Sequence, residues 1–121
     1  MTFYCHPVCT TCKKARDFLD SRGLAYTELD IREHHPDASQ LADFHQKSGL
    51  PLRRFFNTSG QLYRGMDLSA RLPDMTEEEQ LQILATDGML VRRPILVHGD
   101  TVLVGFNEKA WAEALGRGET P

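Results

Sequence analysis

The sequence has few cysteines, no long apolar run and no excess of positive charge. Its 121 residues include three cysteines, and its 14 Lys and Arg against 17 Asp and Glu give a formal net charge of −3. The odd, clustered cysteines argue against a secreted disulfide framework. The charge argues against binding to nucleic-acid phosphates, and the short apolar runs and the N-terminus argue against a membrane span or a signal peptide. We therefore expect a cytoplasmic protein with no nucleic-acid or membrane partner.

The cysteines lie where a strand is predicted to pass into a helix. The apolar run Phe3–Cys5 stops before Pro7, and a Cys-Thr-Thr-Cys sequence from Cys9 to Cys12 then opens a helical pattern. A Cys-x-x-Cys motif in this place is typical of thioredoxin-like redox proteins. Because residues i and i+3 of a helical first turn lie on one side, the two sulfurs can be joined or parted without moving the fold.

Cys9 is the predicted nucleophile of this motif. The N–H groups and the positive dipole end of a helix start favour a thiolate over a thiol, and Lys13 and Lys14 add positive charge nearby. Cys9 lies at or just before the first turn and should be the more exposed cysteine, with the lower pKa. Cys12, one turn deeper, is its predicted partner or a buried thiol.

Two other interpretations of the cysteines stay open. The thiols could be buried and inert, because Cys is among the most buried residue types. They could also bind zinc together with Cys5 and His6, although structural zinc sites usually combine two separated ligand clusters and the sequence has no second cysteine cluster. A redox-active thiol without a bound metal is the interpretation that we prefer.

The first third of the chain predicts a β-α-β unit. The first helix should run from about Cys9 to Arg22 and end at Gly23 in the left-handed conformation. Tyr26–Ile31 alternates apolar and polar residues, as a strand does. The intervening helix makes this second strand parallel to the first.

A helical insert is predicted between about residues 37 and 90. Asp37 can cap its first helix, and a short helix should follow Pro51. Thr76 with Glu79 three residues later forms the capping-box pattern of another helix. We find no strand signal between Asp37 and Ala85.

The last part of the chain predicts a hairpin and a final helix. Ile95–His98 and Thr101–Val104 flank Gly99-Asp100, the signature of a type II′ turn. Asn107 can cap the helix, which carries Ala110, Trp111, Ala114 and Leu115. The order β-α-β, helical insert, β-β-α indicates an α/β thioredoxin-like fold with a mixed four-stranded sheet. We expect a single domain over residues 1–115 and a flexible tail over residues 116–121.

Arg93 and Pro94 are predicted to face the cysteines. A proline cannot donate a ladder hydrogen bond, so Pro94 should open the third strand. By itself this pattern favours a trans peptide, but thioredoxin-like folds place a cis-proline here, beside the redox cysteines. Arg93 could then stabilise the Cys9 thiolate and, with the free N–H groups of Thr10 and Thr11, hold a tetrahedral anion.

Three segments carry a resemblance to a known family. YCHPVCTTCKKA, SGLPLRRFFNTSGQLYR and LATDGMLVRRPILV, in this order and spacing, resemble the arsenate reductase/Spx/MgsR (ArsC-like) family over nearly the whole chain. The resemblance implies a thioredoxin-like domain with a helical insert. In the family's reductases the thiolate aligned with Cys9 attacks arsenate, glutathione with glutaredoxin reduces the adduct, and three arginines stabilise the oxyanion. In its Spx-type regulators the pair aligned with Cys9 and Cys12 is a disulfide switch, and the protein binds the C-terminal domain of the RNA polymerase α subunit.

The sequence departs from the reductase pattern. Arg93 matches the family arginine before proline, but the other two oxyanion arginines align with Asn57 and Gly105. Cys5 replaces the histidine four residues before the nucleophile, and Cys12 stands where glutaredoxin-dependent reductases have a serine. Because loss of one oxyanion donor costs roughly 3 kcal/mol, the pattern favours internal disulfide chemistry over arsenate reduction.

These observations predict a thiol-dependent oxidoreductase that resembles arsenate reductase. Cys9 would be the nucleophile, Cys12 (or, less favoured, Cys5) the resolving thiol and Arg93 the anion or thiolate stabiliser. The substrate would be a small oxyanion or a protein or low-molecular-weight thiol. Glutathione with glutaredoxin, or thioredoxin, is the expected electron donor, with no bound cofactor. The alternative is a redox-sensing regulator of the Spx/MgsR type that binds the RNA polymerase α subunit.

Overall fold

The sheet at the centre of the protein has four strands in the order β2-β1-β3-β4. The computed structural model describes residues 1–116. The strands are β1 (Thr2–Cys5), β2 (Thr27–Asp30), β3 (Ile95–His98) and β4 (Thr101–Val104). β1 pairs parallel with β2 and antiparallel with β3, and β3 pairs antiparallel with β4. The predicted mixed four-stranded sheet is confirmed.

Six α-helices and three 3₁₀ turns surround this sheet in the described part of the chain. The helices are α1 (Thr10–Ser21), α2 (Ala38–Ser48), α3 (Gln61–Gly65), α4 (Leu68–Arg71), α5 (Glu77–Leu84) and α6 (Glu108–Gly116). The 3₁₀ turns are Leu52–Phe55, Leu72–Asp74 and Gly88–Leu90. Residues 117–121 of the predicted tail lie outside the described residues, and within residues 1–116 no helix is both long and apolar enough to cross a membrane.

The two faces of the sheet carry two separate hydrophobic clusters. Successive residues of a strand point to opposite faces. Phe3 and Leu96 therefore pack in a cluster with the buried residues of α1 and α6, whereas Tyr4 and Ile95 pack in a second cluster with the helices between β2 and β3. The two buried pairs, Phe3 with Leu96 and Tyr4 with Ile95, are also direct neighbours across β1 and β3.

Local sequence signals fix most of the element ends. Asp37 accepts from the Gln40 amide at 2.8 Å and Thr76 from the Glu79 amide at 3.1 Å, so both predicted N-caps are present, each in a capping box. Gly99 has the positive φ (59°) that the first central position of a type II′ turn requires.

Two details of the later part of the chain were not predicted from the sequence. In α6 the side chains of Trp111 and Leu115 are buried, but Ala110 and Ala114 are exposed, because the face in contact with the sheet is narrower than the apolar pattern. The insert also contains strand-like pairing, since Phe56 forms an isolated antiparallel bridge with Val91. That bridge connects the insert to the segment that leads into β3.

Candidate active site

Cys9 is the N-cap residue of α1 and lies partly exposed at the end of the loop that follows β1. The loop folds back on itself, because the Cys9 amide donates to the His6 carbonyl oxygen at 3.1 Å. Val8, directly before Cys9, leaves 83% of its surface exposed. Cys9 also lines an open surface pocket together with Pro7, Val8 and Thr10, so a reactant in solution can approach it.

Several groups around Cys9 favour its thiolate. Burial raises the pKa of the Cys9 thiol, but the backbone amide and thiol of Cys12, the Thr11 amide and the charge of Arg93 lower it, and the net shift is downward. The Cys9 side chain forms no N-cap hydrogen bond within the standard distance and angle limits. The lowered pKa of Cys9 therefore comes from the nearby amide dipoles, the Cys12 thiol and the charge of Arg93. The amides of Thr11 and Cys12, rather than those of Thr10 and Thr11, face this sulfur.

Lys13 and Lys14 are not among the main groups that set the pKa of Cys9. Lys13 pairs with Asp17 at 2.9 Å one turn along the exposed side of α1. The groups that lower the pKa of Cys9 are backbone amides, a thiol and Arg93. The charge of Lys13 is therefore partly compensated by Asp17 on the exposed side of the helix.

Cys12 is the buried thiol of the pair. It is 0% exposed in the cluster between the sheet, α1 and α6. Burial raises the pKa of the Cys12 thiol to about 12, and a negative charge on Cys9 adds to this effect. Both sulfurs are free thiols, and the His6 amide donates to the Cys12 sulfur at 3.3 Å. The two cysteines of the motif thus differ in exposure and in acidity.

Cys5 belongs to a different polar group. Its thiol, 1% exposed, donates to Glu28 at 3.1 Å and receives a contact from Arg16 Nη2 at 3.4 Å. Burial, followed by the Glu28 hydrogen bond, raises its pKa to about 11. Arg16 and Glu28, which form an ion pair at 2.9 Å, were missed in the sequence. Their contacts join three separate elements, and no short sequence pattern signals them.

His6 is a second residue that sequence reasoning overlooked as part of the thiol site. Burial, then the charges of Arg93 and Arg32, lower its pKa below the ordinary value, so it is neutral near pH 7. Its Nδ1 accepts from the Val8 amide at 3.2 Å, which leaves the proton on Nε2. His6 therefore shapes the loop through Val8 and contacts Cys12 through its backbone.

The Arg93–Pro94 peptide bond is cis, as the fold led us to expect. Tyr4 pairs with Ile95 across β1 and β3, so Arg93 lies beside the loop that follows β1, and its charge lowers the pKa of both Cys9 and His6. Its Nε and Nη1 atoms are buried and have no hydrogen-bond partner in the described residues. Arg93 also lines a cleft of about 400 Å³, together with Asn57, Ser59, Gly60, Gln61, Leu62 and Met89.

Asn57 and Gly105, the two positions at which the resemblance implies further family arginines, carry no charge. Asn57 lines the cleft and donates from Nδ2 to the Met89 carbonyl oxygen at 3.4 Å. Gly105 has a φ of 70°, a conformation in which any residue with a side chain is strained. Its amide donates to the Pro94 carbonyl oxygen at 2.8 Å, and its carbonyl oxygen accepts from Trp111 Nε1 at 3.0 Å. Gly105 therefore connects the chain after β4 to Pro94 and Trp111 through backbone hydrogen bonds, and it supplies no charge.

The histidines and cysteines do not assemble into a metal site in the described residues. Among residues 1–116, no three His, Cys, Asp or Glu side chains come together in a group that could hold a metal ion. The hydrogen-bonding partners of Cys5 and Cys12 are instead Glu28, Arg16 and the His6 amide.

Alkylation of Cys9 by iodoacetamide should rise at a lower pH than that of an ordinary thiol. Only the thiolate reacts. The pKa of Cys9 lies below the usual 9.0, whereas burial keeps Cys12 (about 12) and Cys5 (about 11) protonated near neutral pH. Arg93→Gln should move the Cys9 rise to higher pH, because it removes a charge that favours the thiolate. Mass spectrometry of each cysteine peptide across pH measures both effects, and an unchanged Cys9 midpoint in Arg93→Gln contradicts the role given to this charge.

The fold and the site together define a thioredoxin-like domain with a thiol pair at the start of its first helix and a cis-proline before β3. The chain belongs to the ArsC family, whose model matches residues 4–114.

Individual relatives agree with this assignment. YusI of Bacillus subtilis (strain 168), named as an uncharacterized protein, is 45% identical over 113 residues that cover 93% of this chain and 96% of YusI. The regulatory protein MgsR of the same strain is 27% identical over 107 residues, covering 88% of this chain and 83% of MgsR. The crystal structure of an ArsC family related protein from Bacteroides fragilis superposes with a TM-score of 0.90 at 44% identity, covering 93% and 94% of the two chains.

Proposed function

We propose that this protein reduces disulfides through a Cys9 thiolate and a transient Cys9–Cys12 disulfide. The observation that carries the proposal is the contrast between the two thiols. Cys9 is partly exposed with a lowered pKa, whereas Cys12 is buried beside it with a raised pKa. An accessible thiolate next to a resolving thiol is the arrangement that thiol–disulfide exchange requires.

The reaction proceeds in two exchanges. The Cys9 thiolate attacks one sulfur of the substrate disulfide, forms a mixed disulfide and releases the first substrate thiolate. The Cys12 thiol loses its proton to the medium and attacks the Cys9 sulfur, which releases the second substrate thiolate and leaves the Cys9–Cys12 disulfide. Two electrons pass from the protein dithiol to the substrate, and a thiol reductant of the thioredoxin or glutathione–glutaredoxin class returns the protein to the dithiol.

The same charges explain the order of these steps. Negative charge on Cys9 is one of the causes that raise the pKa of Cys12. When Cys9 enters a mixed disulfide this charge is removed, so the Cys12 thiol loses its proton more readily than before. The resolving thiol is thus held back until the first exchange has taken place.

Membership of the ArsC family supports attack by the Cys9 thiolate, but the site is poorly suited to arsenate. Stabilising an oxyanion needs positive charge or donors at the developing negative oxygens. Among the family-aligned positions only Arg93 carries charge, because Asn57 is neutral and Gly105 has no side chain. A disulfide substrate makes a smaller demand, since its exchange develops negative charge mainly on sulfur.

Mild oxidation of the reduced protein tests this proposal. We expect a disulfide between Cys9 and Cys12 with Cys5 left free, because Cys12 acts directly on Cys9 whereas Cys5 donates to Glu28. Digestion without reduction followed by mass spectrometry identifies the linked peptides. Cys12→Ser should instead accumulate a mixed disulfide on Cys9 when a small disulfide is supplied. A Cys5–Cys9 linkage in the wild type, or failure of Cys9 to form any disulfide, contradicts the proposal.

A second function is supported by the similarity to the regulatory protein MgsR. The same thiol pair would then sense oxidants, and its disulfide would control docking on the RNA polymerase α subunit. A pull-down with the C-terminal domain of that subunit, under oxidising and reducing conditions, separates the two functions. Binding in one thiol state only supports the regulator, and no binding in either state excludes it.

A further inference from the structure

The two edge strands of the sheet differ in how they are protected against pairing with another strand. The outer edge of a strand presents unpaired N–H and C=O groups, and proteins commonly block it with charged residues or proline. β2, at one edge of the sheet, carries Glu28 and Asp30. These two carboxylates form ion pairs with Arg16 and Arg32 respectively. β4, at the other edge, reads Thr-Val-Leu-Val and therefore lacks the residues that usually block the addition of a further strand.

The register of β4 shows which of its backbone groups point outward. The Gly105 amide donates to the carbonyl oxygen of the residue before β3 at 2.8 Å, and hydrogen-bonded and non-hydrogen-bonded positions alternate along an antiparallel pair. Thr101 and Leu103 therefore bond to β3, whereas the N–H and C=O groups of Val102 and Val104 point away from it. Apart from the β3–β4 ladder, no backbone hydrogen bond reaches Val102 or Val104 in the described part of the chain.

A groove of about 320 Å³ lies along this outer edge. It is lined by the consecutive residues Val102–Gly105 and by side chains from both faces of the sheet. Leu50 packs with the hydrophobic cluster on the insert side, and Trp111 belongs to the cluster on the side of α1 and α6. A space that borders both faces as well as the strand lies beside the strand. The groove is therefore open where a fifth strand would pair.

Two charged residues lie at opposite ends of β4, on the same face of the sheet. Asp100 comes directly before β4, and its side chain is fully exposed, 3.9 Å from Lys47 of α2. Arg54, which is also exposed, lines the groove together with Gly105, directly after β4. Because α2 and Arg54 both belong to the insert, Asp100 and Arg54 are on the insert face. Among residues 1–116 Arg54 forms no ion pair.

We propose that β4 pairs antiparallel with β4 of a second copy of this chain, about a two-fold axis that passes through Leu103. In this register Val102 of one copy lies opposite Val104 of the other, so the outward N–H and C=O groups of both residues are paired. A two-fold axis perpendicular to the sheet leaves each face on its own side. Asp100 then lies beside the far end of β4 of the second copy, on the same face as Arg54 of that copy. The symmetry forms this charge pair twice.

Sedimentation of the reduced protein over a range of concentrations tests the proposal. An interface made by one short strand and its flanks is small, below about 1,200 Å² of buried area, so we expect a dissociation constant near 100 µM, roughly. A phosphine reductant prevents disulfides between copies. Val104→Pro removes an outward N–H at an edge position that tolerates proline, and it should weaken the dimer at least about 10-fold. A wild-type protein that stays monomeric at about 1 mM overturns the proposal.

Two charge reversals test the register. Asp100→Arg brings two guanidinium groups together across the two-fold axis, and Arg54→Asp brings two carboxylates together. Each variant alone should therefore dimerise at least about 10-fold more weakly than wild type. An equimolar mixture of the two variants should recover the dimer, because both contacts of the mixed dimer then join opposite charges. Arg64→Asp is the matched control, since it reverses the same charge at an exposed position of α3 that does not line the groove, and its dissociation constant should equal that of wild type.

The mixture keeps the test independent of folding defects, because a variant that cannot fold is not rescued by the other. Charge reversals that leave the dissociation constant unchanged overturn the proposed pairing. So does a mixture that dimerises no better than its two components, or a Val104→Pro protein that dimerises like wild type. None of these measurements involves a thiol, and Cys9 lines a different pocket. The dimer and the proposed disulfide reduction can therefore fail separately.

Discussion

Cys9→Ser should lower the rate of disulfide exchange by roughly 1000-fold or more, the scale of loss on removal of a catalytic nucleophile. Serine keeps the size of the side chain, but its hydroxyl is not ionised near neutral pH, and the dipoles at the start of α1 cannot supply the missing anion. Cys12 cannot take over, because burial raises its pKa to about 12 and leaves it 0% exposed.

A single turnover of the reduced protein with 5,5′-dithiobis(2-nitrobenzoate) measures this loss. Wild type should release about two equivalents of coloured thiolate, one from each exchange, and Cys12→Ser about one. Cys9→Ser should release almost none on the same time scale. Unfolding of each variant by denaturant shows whether it is folded. A folded Cys9→Ser protein that still releases thiolate at the wild-type rate would assign the nucleophile to another cysteine.

Gly88→Ala should destabilise the fold by about 3 kcal/mol or more, at the upper end of overpacking substitutions. Gly88 is buried at the start of the 3₁₀ turn Gly88–Leu90, and a Cβ there would overlap the backbone carbonyl oxygen of Ile31. The obstacle is the backbone just after β2 rather than a flexible side chain, so the clash is relieved only if the 3₁₀ turn and the backbone after β2 move apart. The next residue, Met89, lines the cleft beside Arg93, so a shift here should also change the shape of that cleft.

Gly65→Ala is the control for this substitution. Gly65 lies in α3, and an added Cβ would meet no atom within 4 Å. Alanine there should be neutral or slightly stabilising, by up to about 1 kcal/mol. The free energy of unfolding, from urea titrations of both variants, decides the question. Equal stability of the two variants would contradict the close contact between Gly88 and the Ile31 backbone that the structure shows.

Some parts of the candidate site could be predicted from the sequence, and others could not. The Cys-x-x-Cys motif at a helix start and the different burial of its two sulfurs follow from the spacing of Cys9 and Cys12. The position of Arg93 beside them follows only when the fold is assumed, because more than 80 residues of chain separate Arg93 from Cys9. The group formed by Cys5, Arg16 and Glu28 was missed because it joins β1, α1 and β2 through side chains that no short pattern relates.

The sequence by itself determined the features that depend on neighbours a few residues apart. These include the N-caps Asp37 and Thr76, the Gly99 turn and the cysteine at the helix start, because helix caps and tight turns form from contacts within about four residues. Only the tertiary structure decided which charge reaches Cys9, what holds Cys5, and why position 88 must be glycine. Each of these depends on groups distant in the chain that meet when the insert and the helices pack on the sheet, and their energies exist only after that packing.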